Sequence, residues 1–440
     1  MPSQWLAVHI GTAAEAFEDA DPLNRNVFLV LTLVAIGILM VRSFNWGGFV
    51  ARNVFLMAFL LFALMSVSWS DFPLITFKRW FRDLGAYLVM LVALSDPHPL
   101  EGVRTVLRRF CYLAVPLSIV LVKYFPDMGR SYDEWTGAVV AVGAANGKNQ
   151  LGVACLVAGV FFFWDTVTRW PDRAERRTKR ILLVNFIFMA MTVWLLNFCN
   201  SATANVCLAI GSFMILVAAT KAVKRHPTLF KVLIPACFVC YVTLAYWFNI
   251  NAYLVGAVGR NPTLTNRTFI WATLFGMTTN PLIGTGYRSF FLGARLRELW
   301  LVIHGVMEAH NGYLDLYLNL GIIGLVLFLG FLIASYRTIW DRVRTAPAFA
   351  SLGLAIWTIL LFYNVTEAGF VGGLLWLILM LTGIDVPGLT EDPSRNVSPL
   401  KIGAVGEQLP KPIPEPAGFR NKFTTDRPSL SAHSIAARKT

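Results

Sequence analysis

The sequence predicts an all-α fold: a polytopic transmembrane helical bundle of about eleven spanning helices (ten to twelve), with one long loop on the outer, periplasmic face. Three observations carry this. Hydrophobic residues make up 56% of the 440 and charged residues 14%, whereas a soluble domain carries roughly a quarter charged residues. Several apolar runs reach the ~20 residues needed to cross a ~30 Å hydrocarbon core. They are solid runs, unlike the ~10-residue alternating segments of an outer-membrane barrel. Lysines and arginines fall in the short connections between the runs, which is the topology signal of inner-membrane proteins. The net charge of +13 is therefore read as a membrane signature and not as a nucleic-acid footprint.

In chain order, residues 1–25 are polar and acidic, and no cleavable signal peptide is expected there. Spans are expected near 26–42, 50–69, 82–96, 106–124, 150–168, 180–198, 201–220 and 230–250, the first eight transmembrane helices. A polar, turn-rich stretch follows at 251–312, too rich in aromatics and leucine for disorder. Long connections of this kind are commonly functional, so it is read as the active-site loop. The closing spans are expected at 313–336, 348–366 and 368–385. The third and the last span are short enough to be tilted or re-entrant. Residues 386–440, rich in Pro, Ser, Lys and Arg, read as a disordered cytoplasmic tail. The six cysteines lie in or beside apolar runs. Cys237 and Cys240 have CxxC spacing but no companion ligands, so they are read as packing residues.

Orientation follows from the most basic short loop, Arg169 to Arg180, which belongs in the cytoplasm. Alternation from it places Lys221/Lys224/Arg225 and Arg337/Arg342/Arg344 inside, and places 70–82, 125–149 and 251–312 outside. Cations on the outer face then need a reason. Arg79 and Arg82 share a helical face at the entrance to the third span. They are read either as snorkelling interfacial anchors or as an anion site for a lipid-borne phosphate. Lys148 opens the fifth span, where the helix dipole also favours anions. Ser201, in Asn200-Ser201-Ala202-Thr203, is read as a helix N-cap.

In the long loop, Arg260 and Arg267 are the sharpest pair, because an arginine fork matches a diphosphate. Arg267 leads an amphipathic segment through Phe269, Ile270, Trp271, Leu274 and Phe275 that suits the membrane surface. The Gly284-Thr285-Gly286 turn would let backbone approach a ligand closely. His310 sits at the lip of an apolar run beside Asn311-Gly312, with Glu308 and Asp315 near it. It is read either as a solvated or capping histidine or as a general base working near neutral pH, with Glu308 or Asp315 to orient its ring. His304 is the other outer-face histidine.

These strings resemble the O-antigen ligase and exopolysaccharide polymerase family of bacterial inner-membrane proteins. The resemblance lies in Leu264-Thr265-Asn266-Arg267-Thr268-Phe269-Ile270-Trp271, in Asn280-Pro281-Leu282-Ile283-Gly284-Thr285-Gly286-Tyr287, and in His310-Asn311-Gly312-Tyr313-Leu314 running on to Leu320-Gly321-Ile322-Ile323-Gly324. It implies a glycosyltransferase with an undecaprenyl-diphosphate-linked glycan as donor. The acceptor would be a sugar hydroxyl, on another glycan or on lipid A core. Membrane lipid and polysaccharide export or chain-length proteins are further partners to expect; no cofactor and no metal are. Carried over, His310 matches the catalytic base. Arg267 matches the diphosphate-binding arginine, with Arg260, Arg79, Arg82, Lys148 and Asn311 as further substrate-binding candidates. Two departures stand out. No arginine or lysine follows Ser201 where many members have one, and alternation puts this N-terminus outside where members often begin inside. The reading from another class is a transporter of bicarbonate or lipid-linked sugar. That would call for repeat symmetry and polar breaks at the bilayer midplane, whereas here the polar groups gather on one face.

Overall fold

The computed structural model describes residues 22–132, 137–247, 267–277, 279–303 and 305–387. It is almost wholly helical, as expected. Helices α1 (Pro22–Val41), α2 (Trp46–Arg52), α3 (Val54–Met65), α4 (Pro73–Leu94) and α5 (Pro99–Tyr124) come first. After them come α6 (Lys148–Arg169), α7 (Arg176–Cys199), α8 (Ala202–Ala219) and α9 (Pro227–Trp247). Two short helices of the long loop, α10 (Arg267–Gly276) and α11 (Gly293–Val302), precede the closing α12 (Gly312–Thr345), α13 (Pro347–Thr366) and α14 (Leu374–Gly383). A small antiparallel ribbon pairs β1 (Arg130–Tyr132) with β2 (Val139–Ala141), Ser131 opposite Val140.

Helix is present in each of the eleven stretches expected to span, although in the last it covers only Leu374–Gly383. By length and composition, six described helices can cross a membrane: those at Pro99–Tyr124, Lys148–Asp172, Arg176–Cys199, Ala202–Ala219, Gly312–Thr345 and Pro347–Thr366. A seventh arises if α1 and α2, bent by 107°, form one broken span. Shorter apolar helices cover Val54–Ser68, Thr228–Thr243 and Leu374–Gly383. The brevity of the third expected span has a local reason. Helix α4 begins at Pro73, where the fixed φ of proline suits a first turn, and carries Lys78, Arg79, Arg82 and Asp83 in its first half. Hydropathy therefore sees only its second half. Arg342, expected in a connecting loop, is instead buried in α12 and donates to the carbonyls of Thr382 and Ile384 at 2.9 and 2.8 Å, tying off α14.

Helix α13 is the centre of the bundle, buried along nearly its whole length and packed on α8, α12 and α14. Helix α6 packs on α7 and α8, α1 on α4, and α12 on α3. Trp164 and Trp376 are fully enclosed, and each indole N–H has a partner, Ala348 O at 2.8 Å and Tyr87 Oη at 2.7 Å. Such pairing is what makes a buried indole tolerable. Cys111, Cys155, Cys199 and Cys207 are buried, but Cys237 and Cys240 are exposed on α9. They are not packing residues: their face of α9 has no covering element among the described residues.

Helix α12 breaks at Gly321, where φ is +63° and ψ −167°. A break of this kind frees main-chain groups that must find partners elsewhere. They find them in the turn at 281–286. Ile322 N donates to Pro281 O (2.9 Å) and Ile323 N to Leu282 O (3.1 Å), while Thr285 N and Gly286 N donate to the carbonyls of Leu318 (3.2 Å) and Asn319 (2.8 Å). A Cβ on Gly284 would stand 2.5 Å from the Asn319 carbonyl carbon. The close backbone approach expected of the Gly-Thr-Gly turn is thus real, but its target is the broken helix and not a ligand.

Candidate active site

Glu367 is where Asn149, Arg267 and the turn at His310, drawn from three separate stretches of the sequence, meet in space. It terminates α13, is 4% exposed, and was passed over in the sequence as the gap between two apolar runs. Its Oε1 accepts from Arg267 Nη2 at 2.5 Å. Its Oε2 faces Asn149 Nδ2 at 3.0 Å and His310 Nδ1 at 3.3 Å. Its own carbonyl accepts from Gly312 N at 2.9 Å. One carboxylate therefore joins the first residue of α10, the first turn of α6, the end of α13 and the turn entering α12. The signal that could have found it is a lone ionisable residue at the end of an otherwise apolar helix pair, which is a functional hypothesis by default in a membrane protein.

The turn that presents His310 is built by its neighbours. Asn311 Oδ1 accepts from Tyr313 N (3.0 Å) and Leu314 N (3.1 Å), so the side chain read as substrate-binding is engaged as the N-cap of α12. Asp315 Oδ1 accepts from Ala309 N at 3.4 Å, shaping the turn without touching the ring. Gly312 has no room for a Cβ, which would fall 2.0 Å from Asn364 Oδ1. Trp271 Nε1 donates to Ala309 O at 2.9 Å, so α10 is bolted to the residue before His310. Within α10, Ile270 and Leu274 are buried while Phe269 and Phe275 are exposed, the amphipathic split expected. His310 itself adopts φ +46°, a conformation that a non-glycine residue holds only when its surroundings impose it.

The imidazole Nδ1 lies between two carboxylates, Glu308 Oε1 at 3.2 Å and Glu367 Oε2 at 3.3 Å. Burial pulls its pKa down, but the two carboxylates outweigh burial and hold it up at about 9. This corrects the expectation of a histidine poised near neutrality, because Glu308 and Glu367 both reach the ring. Its charged form predominates at pH 7, and with Nδ1 facing carboxylates the nitrogen available for proton transfer is Nε2. Glu308, His310 and Glu367 also offer ligand atoms within 4.8 Å of one another. By donor type they suit a divalent cation, although Glu367 is already bridged to Arg267 and Asn149.

A second cationic group forms around Asp83, which is 5% exposed. Arg288 Nη1 pairs with its Oδ2 at 3.0 Å, Arg82 Nε lies 3.5 Å from its Oδ1, and Tyr287 Oη donates to Oδ2 at 2.9 Å. Arg79 donates to the carbonyl of Arg288. Arg79 and Arg82 are thus brought together, but with Arg288 and not with Arg267. Neither Arg288 nor Asp83 was singled out in the sequence; the available signal was an acid inside a spanning helix. Lys148 begins α6 next to Asn149 and so borders the Glu367 centre. Ser201 does cap α8, accepting from Ala204 N at 3.4 Å. Arg260, Thr265 and His304 lie outside the described residues.

The family model for O-antigen ligase matches residues 184–329, which hold Arg267, Arg288 and His310. Among curated proteins, the chain is similar to the exopolysaccharide production protein ExoQ of Rhizobium meliloti (strain 1021). The two are 24% identical over 299 residues, and the match covers 65% of each chain. Both matches bear out the resemblance to the O-antigen ligase and exopolysaccharide polymerase family. The chain is a multi-pass helical membrane protein.

Proposed function

We propose that this chain is a bacterial inner-membrane glycosyltransferase that polymerises exopolysaccharide, moving a glycan from an undecaprenyl-diphosphate donor to a sugar hydroxyl. The observation that carries the proposal is the meeting of Arg267 and His310 on Glu367. A cation suited to phosphate and an imidazole suited to proton transfer, both within the stretch that matches the O-antigen ligase model, are held by one buried carboxylate. The similarity to an exopolysaccharide production protein supports polymerisation over transfer to lipid A core.

A diphosphate is already a good leaving group, so catalysis needs charge neutralisation and a positioned base more than a covalent intermediate. Arg267 presents five N–H donors, and the bond to Glu367 leaves the fork able to meet a diphosphate oxygen as well. The acceptor hydroxyl attacks the anomeric carbon as the bond from that carbon to the diphosphate oxygen breaks. The configuration inverts, as in a single displacement, and the hydroxyl proton passes to Nε2 of His310. Only the neutral imidazole can take that proton, so kcat/KM is expected to climb about tenfold per pH unit below a limb near 9. The test is transfer by purified protein with a lipid-linked donor, across pH 6–10. His310→Ala should fold, bind the donor and lose ~10²–10⁴-fold in rate. Undiminished transfer by that variant would remove His310 from the chemistry.

A further inference from the structure

We propose that Arg82 and Arg288 form a second anion subsite, separate from Arg267, that takes the phosphate of a lipid-linked acceptor at the membrane surface. This rests on the reading of the chain as a transferase of lipid-linked glycans and names where its second substrate is held.

The subsite is built, not incidental. Asp83 is buried, yet the two guanidiniums that share it keep 40% and 33% of their side-chain surface exposed. Arg288 donates to the carboxylate at 3.0 Å, Arg82 brings its Nε to within 3.5 Å of it, and Tyr287 Oη donates to it as well. Arg288 is held in place from several directions. Its backbone has φ +54°, Tyr287 N donates to Ser66 Oγ at 2.8 Å, and the guanidinium lies on Gly372, where a Cβ would meet Nη1 at 2.4 Å. That last contact also links the two centres, because Gly372 and Glu367 belong to the same connection between α13 and α14. Asp315 lies within electrostatic range of both Arg288 and His310.

The neighbouring surface says what kind of anion. On α4, Leu74, Phe77 and Phe81 follow helical spacing and are 65%, 42% and 39% exposed, with Phe77 stacked on Phe81. An exposed apolar stripe of this kind suits contact with lipid, and it adjoins Arg82 about a quarter turn round the helix. A phosphate carried on a lipid can reach the forks while the lipid packs beside the stripe. A water-soluble phosphate would gain nothing from the stripe. Arginine forks match phosphate oxygens bidentately, and fixed geometry lowers the cost of ordering them.

The experiment counts bound undecaprenyl diphosphate on the full chain in phosphatidylcholine nanodiscs by native mass spectrometry, and measures acceptor and donor KM in the transfer assay. The wild-type chain should hold two equivalents. Arg82→Gln should weaken one of them about tenfold and raise acceptor KM by a similar factor, leaving donor KM unchanged. Arg267→Lys should weaken the other. Arg82→Lys, which keeps the charge, should fall between and guards against a folding artefact in the glutamine variant. A single equivalent, lost only in Arg267→Lys, overturns the second subsite while sparing the transferase reading. Displacement of the Arg82-dependent equivalent by phosphatidylglycerol at matching concentration assigns the forks to bulk anionic lipid and overturns the acceptor. No bound equivalent on the wild-type chain overturns both readings together.

Discussion

Glu367 and Asp83 make a natural pair for comparison. Each is a buried carboxylate where a helix meets the loop at 267–312, and each is paired with an arginine of that loop. Their companions differ. Glu367 holds one arginine, one amide and a histidine that a second carboxylate also reaches. Asp83 holds two arginines and a phenol. The first set can relocate a proton; the second can only present charge. On the proposed reading, two sites built on the same plan differ by what surrounds the carboxylate, and the position of the carboxylate itself does not decide the difference.

The largest effect that would break this comparison is on stability. Glu367→Ala strands Arg267, whose side chain is only 14% exposed, and should cost about 3–5 kcal/mol as an uncompensated buried charge. Asp83→Ala frees arginines that already reach solvent, and should cost about 1–3 kcal/mol. Chemical denaturation of both variants decides, and equal losses would end the distinction. Next in size, Arg267→Lys keeps the charge but loses the fork, and transfer should fall about ten- to a hundredfold with folding retained.

The smallest effect is also the sharpest. Glu308→Gln leaves His310 with one carboxylate, so its pKa falls from about 9. The limb of the pH profile should move to lower pH, and transfer at pH 7 should rise a few-fold as more imidazole is neutral. A decrease at pH 7 would place the base elsewhere. The same ion pairs bear on stability with a definite sign. The folded pKa lies above the ordinary value of about 6.5, so the stabilisation is complete below that pH and lost as pH rises through 9.

Much of this was legible in the sequence, for reasons that differ from residue to residue. Apolar runs mark helices because the bilayer demands them, and helix is present in each expected stretch. Arg267 and His310 stood out because they are polar groups in a string that resembles a family. The partners of those residues did not. Glu367 follows α13 without any local pattern, and Asp83 lies within a helix whose charged first half hides its span. Asn311 looked like a ligand contact because its sequence position is right, yet an asparagine before a glycine and an apolar run is also what a helix start requires. A carboxylate's role depends on what the fold brings to it, and one chain read linearly does not contain that.

The break at Gly321 has a consequence for how this protein could change its substrate. The segment 281–286 is gripped chiefly through its peptide groups, two donors and two acceptors on the opened helix, with a strict demand for glycine at 284 and 286. Its neighbours in sequence can therefore be exchanged while the segment stays seated, much as a cartridge is changed in a fixed breech. Adding or removing a residue is another matter. A shift of one position would move Gly284 out of the place where a Cβ has no room and swing Tyr287 and Arg288 away from Asp83. Variation by substitution is open to this loop away from Gly284 and Gly286, and variation by length is closed.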